Sequence, residues 1–316
     1  MDFSSATSLV QVSADGHVAL VEINRPQKRN ALSQDTIDCL VGAIAKVEKD
    51  ENIKVVILTG SRRTGPFSGM SFPDLLGRHE VVVTACHELC TSVVVCDRSF
   101  AVVEQVRREA ELRLLGGTVP ELEMVEAQAE RAVNFPGADL SELRHLSTAE
   151  AHRIQYLKDL ADAVTSMRKP IIAAVAGFAC DIIYAADDAQ FGLPELSVGT
   201  IPGAGGTQRL TRLAMDMILN SLTITGEELR HYGLVAQTFP TDALLPATMA
   251  AAQKIASRST PVVQLAKQAI LNAEQTHLDA GLALERSLYY GSFSLDDRTE
   301  GMAAFVEKRQ PVFKDR

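Results

Sequence analysis

Residues 190–212 read QFGLPELSVGTIPGAGGTQRLTR. A short apolar run gives way at Leu193-Pro194 to a loop rich in glycine and proline, and a helix-forming segment follows. Glu195 stands at that change, directly behind Pro194 and ahead of the loop at 199–206. A strand entering irregular backbone is a usual place for a general acid or base, because a rigid element then holds a side chain facing a cleft. The glycines also suggest a phosphate cradle, but the string lacks the lysine and hydroxyl residue of a P-loop.

Working outward, residues 181–185 and 170–175 are apolar runs of strand length, and 147–167 carries helical periodicity. Further upstream, 17–24 (HVALVEIN) alternates apolar residues and ends at Arg25-Pro26, and 54–59 (KVVILT) reads as a buried strand. Ser33 is placed to cap a helix whose Ile37, Leu40, Val41, Ile44 and Val47 recur at helical spacing. Downstream, 261–274 and 278–293 predict helices. Residues 61–133 differ in texture, first β-branched and then charged, and read as an insertion.

At 316 residues and 46% apolar content, the chain is long enough to bury a large core. A net charge of −9 with scattered basic residues argues against a nucleic-acid groove. The longest apolar stretch, 170–180, falls short of the ~18 residues of a membrane span. Five cysteines without framework spacing fit a reducing compartment, and the first residues show neither a signal nor a transit pattern. Cys86, His87, Cys90 and Cys96 match no standard zinc spacing, so no metal is expected. Cys39 and Cys180 read as buried small residues.

Six stretches together carry a resemblance: NRPQKRNALS (24–33), VVILTG (55–60), FPGADLSEL (135–143), KPIIAAVAGFA (169–179), CDIIYAADDAQFGLPELSVGTIPGAGGTQRLTR (180–212) and DDRTEGMAAFVEKRQPVFKD (296–315). In this order they resemble the enoyl-CoA hydratase/isomerase (crotonase) family, most of all its short-chain mitochondrial-type hydratases. The resemblance implies an α/β, crotonase-like spiral of ββα units over 1–260 and a helical C-terminal region over 261–316. It also implies a homotrimer or dimer of trimers, and the mitochondrial matrix, with the cytoplasm as the alternative. The implied reaction is addition of water to a 2-enoyl-CoA thioester in fatty-acid β-oxidation, with no cofactor beyond the acyl-CoA substrate. Isomerisation by Glu195 alone and non-catalytic CoA binding stay open.

Attack of water at C3 of an enoyl thioester builds an enolate, so the thioester oxygen needs preorganised donors. Gly137-Ala138-Asp139 suits this, because small residues let backbone approach a ligand. By resemblance Ala138 supplies one oxyanion N–H and Glu195 works at the reacting carbons. Arg25, Lys28 and Arg29, with Lys308 and Arg309, are the candidate cations for the CoA phosphates. Resemblance adds Ala31, Ala138, Asp139, Leu140, Ser141 and Gly177 to the substrate contacts, although similar hydratases often carry lysine where Ser141 stands.

One piece of the family pattern is missing. After AAVAGFA the family continues with a glycine run and a short helix bearing a second glutamate, whereas here Ala179 meets Cys180 directly. The expected consequences are loss of one oxyanion donor and one acid/base group. A further expectation is a local fold that differs or borrows a neighbouring chain, since a parallel crossover usually takes a dozen residues. The gap and the insertion fit a divergent lineage or, as the better reading, an inaccurately spliced gene.

Overall fold

The structure is a computed structural model, and it describes residues 9–28, 30–61, 137–174 and 179–316. The expected insertion at 61–133, its cysteines and histidine, Arg29 and Gly177 therefore lie outside the described residues, apart from Ser61.

Val10–Asp15 (β1) and Val18–Ile23 (β2) pair antiparallel, with Val12 opposite Val21. Gln34–Lys49 (α1) then crosses back so that Val55–Gly60 (β3) lies parallel to β2. Ser33 caps α1, its hydroxyl accepting from the Thr36 N–H at 3.4 Å. Of the residues expected on the buried stripe, Ile37, Leu40, Ile44 and Val47 are buried and Val41 is half-buried. Every residue of β3 is buried because the strand is covered on both faces: Val56 and Leu58 face α1, while Val55 and Ile57 face the opposite layer.

Ile171–Ala174 (β4) and Ile182–Ala186 (β5) continue the parallel sheet. Gln190–Gly192 (β6) and Thr223–Thr225 (β7) form a separate antiparallel pair, and Gln237–Phe239 (β8) returns to the main sheet, whose order is β1-β2-β3-β4-β5-β8. The remaining α-helices among the described residues are Leu140–Leu143 (α2), Thr148–Ile154 (α3), Lys158–Thr165 (α4), Gly206–Arg209 (α5), Thr211–Leu219 (α6), Gly226–His231 (α7), Thr241–Ala256 (α8), Thr260–Asn272 (α9), Leu278–Ser292 (α10) and Asp296–Val306 (α11). The face opposite α1 is covered by α8 through Leu244, Ala252 and Ala256. No helix among the described residues is long and apolar enough to cross a membrane.

Two expectations are corrected. The strands flanking the gap remain parallel neighbours, with Ile172 opposite Ile182 and Ala174 opposite Tyr184. The seven residues 175–181 suffice, because at ~3.3 Å each they reach ~23 Å, more than a four-residue strand requires. The returning end is held by Asp181, whose Oδ2 accepts from the Ile171 N–H at 2.7 Å and from Lys267 Nζ at 2.7 Å. The periodicity at 147–167 is not one helix. A Ser147/Glu150 capping box starts α3, and left-handed Gln155 (φ 49°) and Leu157 (φ 66°) then break the run before α4. Such backbone is costly for side chains with a Cβ and tends to occur at functional sites.

Candidate active site

The loop expected after β6 winds into a 3-10 helix, Pro194–Val198, with proline at its start. Gly199 ends it in the left-handed region at φ 80°, a conformation glycine adopts without strain. Leu193 is anchored beneath it with Leu210, Met217 and Ile218. Gly206 at the start of α5 approaches closely: a Cβ there would stand 3.0 Å from Leu193 Cδ1. The shoulder that carries Glu195 is thus fixed from below.

Glu195 looks into a cavity of about 1060 Å³, whose apolar wall includes Leu32, Leu143, Leu157, Leu160 and Leu193. Its Oε2 is buried and has no hydrogen-bond partner among the described residues. Burial pushes its carboxyl above the usual glutamate range, the direction that readies a carboxylic acid for proton transfer nearer neutrality. Among the described lining residues Glu195 is the one carboxylate. Cys180 also lines the cavity, and burial pushes its thiol up to about 12, so it stays protonated.

Ala138 faces the same cavity and pairs with Leu32 in an isolated parallel bridge. The Leu32 N–H donates to the Gly137 carbonyl at 3.0 Å and the Asp139 N–H donates to the Leu32 carbonyl at 2.9 Å. A parallel bridge of this form turns the N–H of its central residue away from the partner strand. The Ala138 N–H accordingly points away from Leu32, and no described residue accepts from it.

Asp139 fixes the chain just past that N–H. Its Oδ1 accepts from the Ser141 hydroxyl at 2.5 Å and the Ser141 N–H at 3.1 Å, and its Oδ2 pairs with Arg25 at 3.2 Å. Burial pushes this carboxyl up, but the bonds from Ser141 and Arg25 outweigh it and hold the group below the ordinary aspartate range. Leu140 opens α2, where Glu142 accepts from the Gln34 N–H at 2.9 Å and so satisfies the exposed start of α1.

The phosphate candidates are dispersed. Arg25 donates from Nη1 to the Ala31 carbonyl and from Nη2 to Asp139. Lys28, at the end of a 3-10 turn, and Lys308, left-handed at φ 55°, are exposed and stand apart from the cavity lining. Arg309 is held by Glu300 and Glu307. No group of three metal-ligating side chains forms among the described residues.

Tyr156 escaped the sequence reading. It lies between the two left-handed residues, lines the cavity, and donates to the Leu32 carbonyl at 3.0 Å. Burial, reinforced by Glu142 and Asp139, pushes its phenol well above the usual tyrosine value. Nothing local marked it, since the break lacks glycine and proline and the partner is distant in sequence.

A family description, "Enoyl-CoA hydratase/isomerase", matches residues 13–97 and 131–316. The chain belongs to the enoyl-CoA hydratase/isomerase family. The unmatched residues 98–130 fall inside the expected insertion and are fewer than it. Among relatives of this crotonase-type chain, "Enoyl-CoA hydratase, mitochondrial" of Pongo abelii is 33% identical over 94% of this chain and 84% of its own. "Probable enoyl-CoA hydratase echA8" of Mycobacterium bovis is 30% identical over 97% and 98%. A crystal structure of an enoyl-CoA hydratase from Bacillus anthracis superposes with a TM-score of 0.72 at 28% identity, covering 98% of this chain and all of that one. As a family member the chain is an enzyme of the crotonase hydratase type, with the α/β crotonase fold and acyl-CoA as its substrate class.

Proposed function

We propose that this crotonase adds water to 2-enoyl-CoA thioesters in fatty-acid β-oxidation, with turnover weakened by the missing segment between Ala179 and Cys180. The observation that carries this reading is that a free backbone N–H, Ala138, and a half-buried carboxyl whose buried Oε2 has no partner among the described residues, Glu195, share one largely apolar cavity. The N–H stabilises charge building on the thioester oxygen, and a low-dielectric wall strengthens that effect. Glu195 takes a proton from the attacking water as the C3–O bond forms, and returns that proton to C2 of the enolate, which leaves the carboxylate as it began. A missing oxyanion donor costs ~10²–10³ in rate, and a missing acid/base group ~10²–10⁴.

A second reading, isomerisation of 3-enoyl-CoA, is favoured by Glu195 being the one carboxylate among the described lining residues. One carboxylate that removes a proton at C2 and returns it at C4 completes that reaction without water. Incubating the chain with 2-enoyl-CoA and 3-enoyl-CoA separately distinguishes them. Loss of the first with appearance of a 3-hydroxyacyl-CoA supports hydration, conversion of the second supports isomerisation, and binding without change in either supports a non-catalytic CoA-binding subunit.

For assembly, a homotrimer or dimer of trimers is the reading, and the exposed Leu278, Tyr290, Phe305 and Val306 on α10 and α11 are apolar groups that a subunit interface would cover. A mass measurement giving a stable monomer would reject it. For location, the mitochondrial matrix is the reading, and relatives from Pongo abelii and Dictyostelium discoideum that are named mitochondrial support the organelle; the cytoplasm is the alternative, and fractionation of expressing cells decides.

A further inference from the structure

We infer that Arg25 tunes the Ala138 N–H through two peptide groups in series, acting as a positioning residue for the thioester oxygen rather than as a phosphate contact. The inference rests on the Ala138 reading above. Arg25 lies two residues past the end of β2, and its side chain is only 16% exposed, so its guanidinium is turned into the protein. Nη1 donates to the Ala31 carbonyl at 2.5 Å. That carbonyl and the Leu32 N–H belong to one peptide group. The Leu32 N–H in turn donates to the Gly137 carbonyl at 3.0 Å, and that carbonyl shares its peptide group with the Ala138 N–H.

A positive donor on a carbonyl draws electron density from the attached N–H and makes it a stronger donor, and hydrogen bonds in a chain reinforce one another in this way. The series from guanidinium to Ala31–Leu32 to Gly137–Ala138 ends on the N–H that points away from the partner strand. The second arm of the guanidinium holds Asp139 Oδ2 at 3.2 Å, so the same side chain fixes the residue that follows Ala138. Two acceptors in divergent directions call for a planar fork. A lysine ammonium is a point charge and reaches one of them well.

The test uses the full chain and a chromophoric arylenoyl-CoA, whose absorption moves to the red as its thioester carbonyl is polarised. Spectra at saturation are compared for the wild type, Arg25→Gln and Arg25→Lys, with the dissociation constant from each titration. We expect a red shift in the wild type. In Arg25→Gln it should fall by about a third, from roughly 10–30% per hydrogen bond over two bonds, with the dissociation constant changed less than twofold; Arg25→Lys should fall between the two. A full shift in Arg25→Gln, or a dissociation constant raised tenfold with the shift intact, overturns the role of Arg25 and leaves the Ala138 reading standing. A wild type that binds the probe without any shift, or does not bind it, overturns the Ala138 reading and this inference together. Should Arg25→Gln fail to fold, Arg25→Lys decides alone: a shift equal to that of the wild type rejects the inference, and a reduced shift at unchanged affinity supports it.

Discussion

The phenol oxygen of Tyr156 stands 3.0 Å from the carbonyl oxygen of Leu32, which also accepts the Asp139 N–H at 2.9 Å. Two donors on one carbonyl pin the bridge that aims Ala138. Tyr156→Phe removes one of them and should cost about 0.5–1.5 kcal/mol of stability. Because the folded phenol titrates above its unfolded value, this contribution is complete below the ordinary tyrosine pKa of about 10 and is lost as pH rises beyond it. Chemical denaturation of both proteins at pH 8 and pH 11 should show the difference shrinking at the higher pH. A constant difference would exclude the hydroxyl as its source.

Glu195→Gln should abolish measurable hydration while leaving CoA affinity nearly unchanged, because the carboxyl addresses the reacting carbons and not the nucleotide. Turnover assays with CoA titrations check this, and full activity in the variant would remove Glu195 from the reaction.

The same carboxyl bears on stability. Its folded pKa is raised by burial, so its favourable contribution is present below the ordinary glutamate value and is lost as pH rises through the raised one. The Gln variant should therefore melt higher than wild type at pH 7, with the gap narrowing towards pH 4. A variant that melts lower at pH 7 would show that Glu195 has a partner in the folded state.

Inserting roughly ten residues after Ala179, a glycine run and a helical turn bearing glutamate, should raise hydration by ~10⁴ or more. The gain should collapse when Glu195→Gln is added, since parts of one site are not additive. A repaired chain that folds and stays inert towards 2-enoyl-CoA would favour the CoA-binding reading.

Deleting residues 98–130, where the family match is interrupted, should leave a cooperative unfolding transition with its midpoint little changed, because insertions usually sit on surface connections. Loss of the transition in calorimetry would make that stretch integral.

What the sequence disclosed follows from the range of the forces involved. Strands such as 54–59 and the stripe Ile37–Leu40–Ile44–Val47 were legible because burial imposes a period on neighbouring residues. Glu195 and Ala138 were legible as motif members, and the structure brings them to one cavity. Strand β1 was not foreseen, since along it only Val10 is fully buried. The inward turn of Arg25 and the reach of Tyr156 to Leu32 were hidden for a different reason: their partners Asp139 and Leu32 lie over a hundred residues away, and no local pattern records such pairs.

The short return from β4 to β5 has a consequence for how a cell would treat this chain. Quality control responds to bared apolar surface and open strand edges. Here Ile172 still meets Ile182, and Asp181 still seals Ile171. The weakened turnover proposed above would leave no mark on the described pairing of β4 with β5, so surveillance that inspects folding would pass this protein as sound, and only a shortage of product would report the loss.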